Sequence, residues 1–158
     1  MFLVGFIAYL LYIRGKIRLV TLLSLPILAF YLSFVATITI ISRQATITPQ
    51  YKLMLFWSYQ AIASGEVDLT SQVLWNVVLF IPIGILLMLV LTCKYKWIIA
   101  LVCGVILSSI IEIIQLITHR GLFEFDDIVH NTLGAAVGIG VYILVTIFAK
   151  QIKSTRIN

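Results

Sequence analysis

At 158 residues the chain has the length of one domain. Its composition excludes a soluble one: 62% of the residues are hydrophobic and 11% charged, against about 25% charged in soluble domains. The net charge of +5 does not point to nucleic acid, because the basic residues flank apolar runs, where they set orientation and meet anionic headgroups.

In chain order, the pattern predicts an all-α, polytopic integral membrane helix bundle with about five transmembrane helices and one interfacial or re-entrant helix. It reads as a single membrane domain over 1–158: N-terminal helices in 2–42, an interfacial segment in 43–72 and a core in about 73–149. The first apolar run, 2–13, has 12 residues and is short for a span. Its basic residues Arg14, Lys16 and Arg18 follow the apolar run, which argues against a signal peptide. The second run is 19–42. In 43–72, Phe56, Trp57 and Tyr59 suit the headgroup level, and "QYKLMLFWSYQAIASGE" reads as a helix lying in the interface or dipping into the protein. The third run is 73–92, followed by Lys94 and Lys96. The fourth is 97–117 and the fifth 128–149, closed by Lys150, Lys153 and Arg156. Cys93 and Cys103 have no metal-ligand spacing and read as apolar filler.

Basic residues cluster after the first, third and fifth runs. The positive-inside rule then puts those breaks and the C-terminus in the cytoplasm, and the 119–127 loop outside the cell. Arg43 and Lys52 fall on the outer side with Glu66 and Asp68.

Four of the six acidic residues lie in "SSIIEIIQLITHRGLFEFDDIVHNTLGAAVG". On a helix, Ser108, Glu112, Gln115 and His119 share one face, as do Asp127, Asn131, Gly134 and Gly138 in the last run. Glu112 lies six residues before Thr118, about 9 Å inside the helix end. An ionised carboxylate costs several kcal/mol in lipid, so this face must look into protein or water. The two stripes are expected to meet in an antiparallel hairpin, with Asn76 joining from the third run. Together they form an outward-facing polar pocket. Arg120 is expected to neutralise Asp127 or Glu112. Glu124 reads as solvated and His130 as a headgroup-level residue. Asp126 and Asp127 also suit capping of the last helix, and Gln115 and Asn131 also suit interhelical hydrogen bonding. Gly134 and Gly138 permit close helix approach, and Pro82 is expected to bend the third span.

The segments "NVVLFIPIGILL", "SSIIEIIQ" and "HRGLFEFDDIVHNTLGAAVG" resemble the VanZ-like family of bacterial membrane proteins, over about residues 76–138. The resemblance implies a Gram-positive-type cell-envelope protein. The family is named for a member linked to teicoplanin resistance. Its recurrent polar positions correspond to Asn76, Glu112, Gln115, Arg120, Asp127 and Asn131, flanked by Asp126 and Thr132.

Three functions fit these residues. In the first, Asn76, Glu112, Gln115, His119, Arg120, Asp126, Asp127 and Asn131 bind the headgroup of a membrane lipid, cell-wall precursor or lipoglycopeptide. In the second, an intramembrane enzyme uses Glu112 or Asp127 as general base. A divalent cation on carboxylate oxygens belongs to that reading, although no metal or cofactor motif is visible. The third is a transporter or flippase component, which the apolar "WIIALVCGVIL" below Glu112 disfavours.

Overall fold

The structure, a computed structural model, describes residues 2–155. Arg156, counted above in the last basic cluster, lies outside them. Helix α1 spans Phe2–Ile13 and packs on α2, Leu19–Ala36, which runs into a π-helical turn, Thr37–Ile41. After a strand β1, Gln50–Lys52, and a short helix α3, Trp57–Ala63, come α4, Asp68–Val90, and α5, Lys96–Thr118. Strand β2, Leu122–Glu124, leads directly into α6, Phe125–Thr155. Among the described residues, four helical stretches are long and apolar enough to cross a membrane: Leu19–Ile41, Asp68–Val90, Lys96–Thr118 and Phe125–Thr155. The chain is an all-α membrane bundle. The 12-residue α1 reaches about 18 Å, short of the roughly 30 Å of a hydrocarbon core.

Two predicted spans are longer in the structure. The third helix begins at Asp68 rather than 73, so Asn76 sits two turns inside it. The last helix begins at Phe125 and continues past Ala149 to Thr155, about 46 Å in all. The predicted interfacial helix in 43–72 is mostly not helical. Apart from the start of α4, only Trp57–Ala63 coils, and Gln50–Lys52 pairs instead with the backbone of the acidic loop. Those strands are parallel, with Gln50 opposite Leu122, Tyr51 opposite Phe123 and Lys52 opposite Glu124. The segment thus folds back over the acidic end of the α5–α6 hairpin.

The tightest helix contact is α4 against α6, and glycine makes it so. A Cβ on Gly134 would collide with the Val77 carbonyl, and one on Gly138 with the Ile81 carbonyl. Reciprocally, a Cβ on Gly84 would collide with the Ala135 carbonyl. The small-residue stripe therefore faces α4. The side of α6 toward α5 carries Ala135, whose Cβ fills the space at Gly104. Helix α4 continues through Pro82. Proline supplies no N–H to the ladder there, and the adjacent Leu79 carbonyl accepts the Tyr31 hydroxyl at 3.0 Å. Phe80, Ile83, Ile111, Ala135 and Val35 form the apolar core directly beneath the polar residues.

Candidate functional site

Glu112, Gln115, Asp127 and Asn131 come together between α4, α5 and α6, each at most 4% exposed. Glu112 accepts the Glu124 N–H at 2.9 Å. Asn131 donates to the Ser108 hydroxyl at 2.8 Å across the α5–α6 seam. Asn76 approaches the Asp127 carboxyl from α4, yet its Nδ2 has no hydrogen-bond partner. The Gln115 Oε1 and Asn131 Oδ1 atoms are likewise buried and unpartnered. A buried polar atom left unpaired costs about 1–3 kcal/mol, and these three cluster around one site.

Helix α2 joins the site through its π-helical end. Widening the turn at Thr37–Ile41 lets Ser42 bond back five residues to Thr37. The Thr39 carbonyl accepts the Gln115 amide at 2.9 Å. Such π turns frequently mark functional positions. Just beyond it stands Arg43, which sequence reasoning used only for orientation. Its positive charge acts on Glu112, Glu124 and Asp127 together. Its guanidinium lies against Gly121, whose φ of +129° suits glycine, and a Cβ there would press on Arg43 Nη1 at 2.8 Å. The signal was present: a cation beside a span end on the side the positive-inside rule leaves poor in cations calls for a local partner.

Arg120 is the correction that goes with it. It does not meet a carboxylate; its Nη1 donates to the Ile41 and Arg43 carbonyls at 3.0 and 3.3 Å. It clips the loop to the end of α2, where π-turn carbonyls need donors. His119 takes the left-handed conformation that closes α5, with φ 56°, and its carbonyl accepts the Thr46 N–H at 2.8 Å. It is a chain-reversal residue at the rim.

Glu124, expected to be solvated, is 3% exposed. Its place opposite Lys52 in the strand pair turns it inward, where Gln72 reaches it at 3.5 Å. Burial pushes its carboxyl up to about 7; the Asp127 charge adds to the rise, while the Gln72 amide and Arg43 guanidinium oppose it. His130, expected at the headgroup level, is buried too and bonds the Tyr59 hydroxyl at 2.9 Å. Asp126 is committed elsewhere. Its carboxylate accepts the Phe56 N–H, the Ser58 N–H and the Ser58 hydroxyl, capping α3 and holding Phe56 in its left-handed conformation.

Beside the carboxyls, a cleft of about 360 Å³ opens between α2 and α4. Arg43, Gln72 and Asn76 line one end; Phe34, Trp75 and Val78 line the rest, and these three are exposed on the flank of the bundle. Among the described residues, no group of three His, Cys, Asp or Glu side chains converges as a metal site.

A sequence profile of the VanZ/LLP1 family matches residues 6–147. The chain belongs to the VanZ/LLP1 family. The match runs well beyond the 76–138 stretch on which the resemblance was first read and takes in α2 and Arg43. Searches of curated proteins and of solved structures found no match. The VanZ/LLP1 chain is thus a multi-pass membrane protein whose buried carboxyls gather at one end of the bundle.

Proposed function

We propose that this VanZ-like protein binds an anionic amphiphile of the cell envelope at its outer face, and that this binding contributes to resistance to teicoplanin-type glycopeptides. The ligand is an envelope lipid, a lipid-linked cell-wall precursor or a lipoglycopeptide. The proposed orientation puts the 119–127 loop outside the cell and Lys94, Lys96 and the C-terminus in the cytoplasm, supported by the Lys/Arg distribution.

The observation that carries the reading is the division of the α2–α4 cleft. A guanidinium and two amides stand at one end, and apolar walls open sideways toward lipid at the other. This is the polarity of a headgroup attached to a chain. Arg43 offers bidentate contact to a phosphate or carboxylate, and the unpartnered Asn76 amide offers a further donor. The charges of Glu112, Glu124 and Asp127 behind Arg43 attract its guanidinium, and their oxygens are the acceptors for the ligand's hydroxyl or amine donors.

The test is the lipid that travels with the protein. Purified protein is expected to retain an anionic amphiphile detectable by mass spectrometry, and Arg43→Gln to lose it while staying folded. In a glycopeptide-susceptibility assay, Arg43→Gln, Glu112→Gln and Asp127→Asn should each abolish protection at normal membrane levels. An equal number of bound lipids per protein in wild type and Arg43→Gln would refute the headgroup assignment.

A second reading, an intramembrane hydrolase or transferase, is supported by Glu124, which titrates near the neutral pH where a general acid–base group works best. Chemical change of the retained lipid on incubation, lost in Glu112→Gln, would favour it over binding alone.

A further inference from the structure

We propose that a second pocket, at the opposite and basic end of the bundle, holds the phosphodiester headgroup of an anionic phospholipid. This cavity, of about 350 Å³, lies between the start of α5 and the inner half of α6. Lys94, Lys96 and Lys150 line it together with Trp97, Tyr142 and Ile147. The chain's six acidic residues are Glu66, Asp68, Glu112, Glu124, Asp126 and Asp127. All belong to the outer segments or the outer halves of their helices, so among the described residues no carboxylate side chain neutralises these lysines.

The lysines are not equivalent, and that makes the pocket more than a charged surface. Lys96 is fixed. Its Nζ donates to the Met88 carbonyl at 3.1 Å, near the C-terminus of α4, and to the Tyr142 hydroxyl at 3.0 Å. It also sits 4.3 Å over the Tyr142 ring. An ammonium has three N–H donors, so one remains for an outside acceptor. The Tyr142 oxygen accepts from Lys96, which leaves its own hydrogen to donate outward. The Arg18 charge acts on the same hydroxyl. Lys94 and Lys150 are exposed and reach in from either side. Two fixed donors flanked by two mobile cations suit a phosphate with several acceptor oxygens.

The remaining walls select a lipid over free phosphate. Trp97, Ile143 and Ile147 are exposed apolar surface continuing from the pocket along the flank of the bundle. Tryptophan at this level is an interfacial anchor. An inorganic ion gains nothing from these side chains, whereas acyl chains attached to the phosphate lie along them.

The experiment uses the full chain purified in detergent, with defined phosphatidylglycerol or phosphatidylcholine added, and counts bound lipid by native mass spectrometry. Phosphatidylglycerol should be retained in preference. Lys94→Gln/Lys150→Gln should weaken retention about 25-fold, at about fivefold for each lysine. Lys16→Gln/Lys153→Gln removes the same charge from the same end outside the pocket, and should change retention less than threefold. Excess inorganic phosphate should not displace the lipid. Equal losses in the two double variants would mean diffuse surface attraction and overturn the site. So would no loss in either, equal retention of phosphatidylcholine, or displacement by phosphate. Both pocket substitutions are at exposed positions, so folding is not at stake. Lipid bound here is distinguishable from lipid in the outer cleft, because Arg43→Gln should leave it in place.

Discussion

Gly138→Leu tests the helix packing on which the carboxyl site depends. A Cβ at position 138 would lie on the Ile81 carbonyl and close to the Ile85 nitrogen. Both belong to the backbone of α4, which cannot rotate away as a side chain would. Ordinary contact needs about 3.5 Å or more, so α6 must retreat from α4 by about 1 Å. A gap of that size forfeits a quarter to a half of each contact, worth about 0.1–0.2 kcal/mol apiece. Over some tens of contacts on this seam, Gly138→Ala then loses about 2 kcal/mol, less up to about 1 kcal/mol of recovered helix propensity. Leucine adds three more carbons with no space, for a net loss of about 3 kcal/mol or more. Val137 is 41% exposed on the adjoining face, so Val137→Leu should stay within about 0.5 kcal/mol. Reversible unfolding in mixed micelles, followed by circular dichroism, measures both. Equal stability of the two variants would refute the placement of the glycine stripe against α4.

Glu124 carries a pH dependence whose sign follows from burial. Its carboxyl rises from 4.5 to about 7 on folding, so the folded state binds the extra proton. Its contribution should make the protein most stable at acidic pH and remove up to about 3 kcal/mol as pH climbs from about 4.5 to 7. Melting at pH 5 and pH 8 should show that loss in wild type and a smaller one in Glu124→Gln; an unchanged difference would contradict it. Asp126→Ala should release α3, at about 3 kcal/mol for its charge-assisted bonds. Hydrogen exchange should quicken in 50–66 and stay slow in α5; protection unchanged in 50–66 would count against the cap. For topology, single cysteines at the exposed positions Ile47 and Lys94, without Cys93 and Cys103, should differ toward an impermeant thiol reagent in intact cells. Labelling at Lys94 with protection at Ile47 would reverse the proposed orientation.

Helical periodicity and the cost of charge in lipid made much of the site legible in the sequence. Ser108, Glu112 and Gln115 recur on one face, and so do Asp127, Asn131, Gly134 and Gly138. A carboxylate so far inside an apolar helix has to find protein, and the structure joins the polar end of the second face to the first through Asn131 and Ser108, while Gly134 and Gly138 turn to α4. The spans were legible for the same reason, since runs of about 20 apolar residues leave few alternatives. Their ends were less so, because α4 and α6 extend into polar sequence that hydropathy reads as loop.

The choice between two arginines was not available from the sequence. Arg43 and Arg120 both stand near span ends on the acidic side, and either could serve the carboxyls. Tertiary structure decides it: the π-turn and the chain beyond it present the Ile41 and Arg43 carbonyls to Arg120, while Gly121 leaves room for the Arg43 guanidinium. Glu124 turns inward for a similar reason, because its strand is set by pairing with Gln50–Lys52, some seventy residues earlier in the chain. Local periodicity tells which face of a helix is polar. Which distant segment meets that face depends on where main-chain donors and acceptors find partners, and only the folded chain settles that.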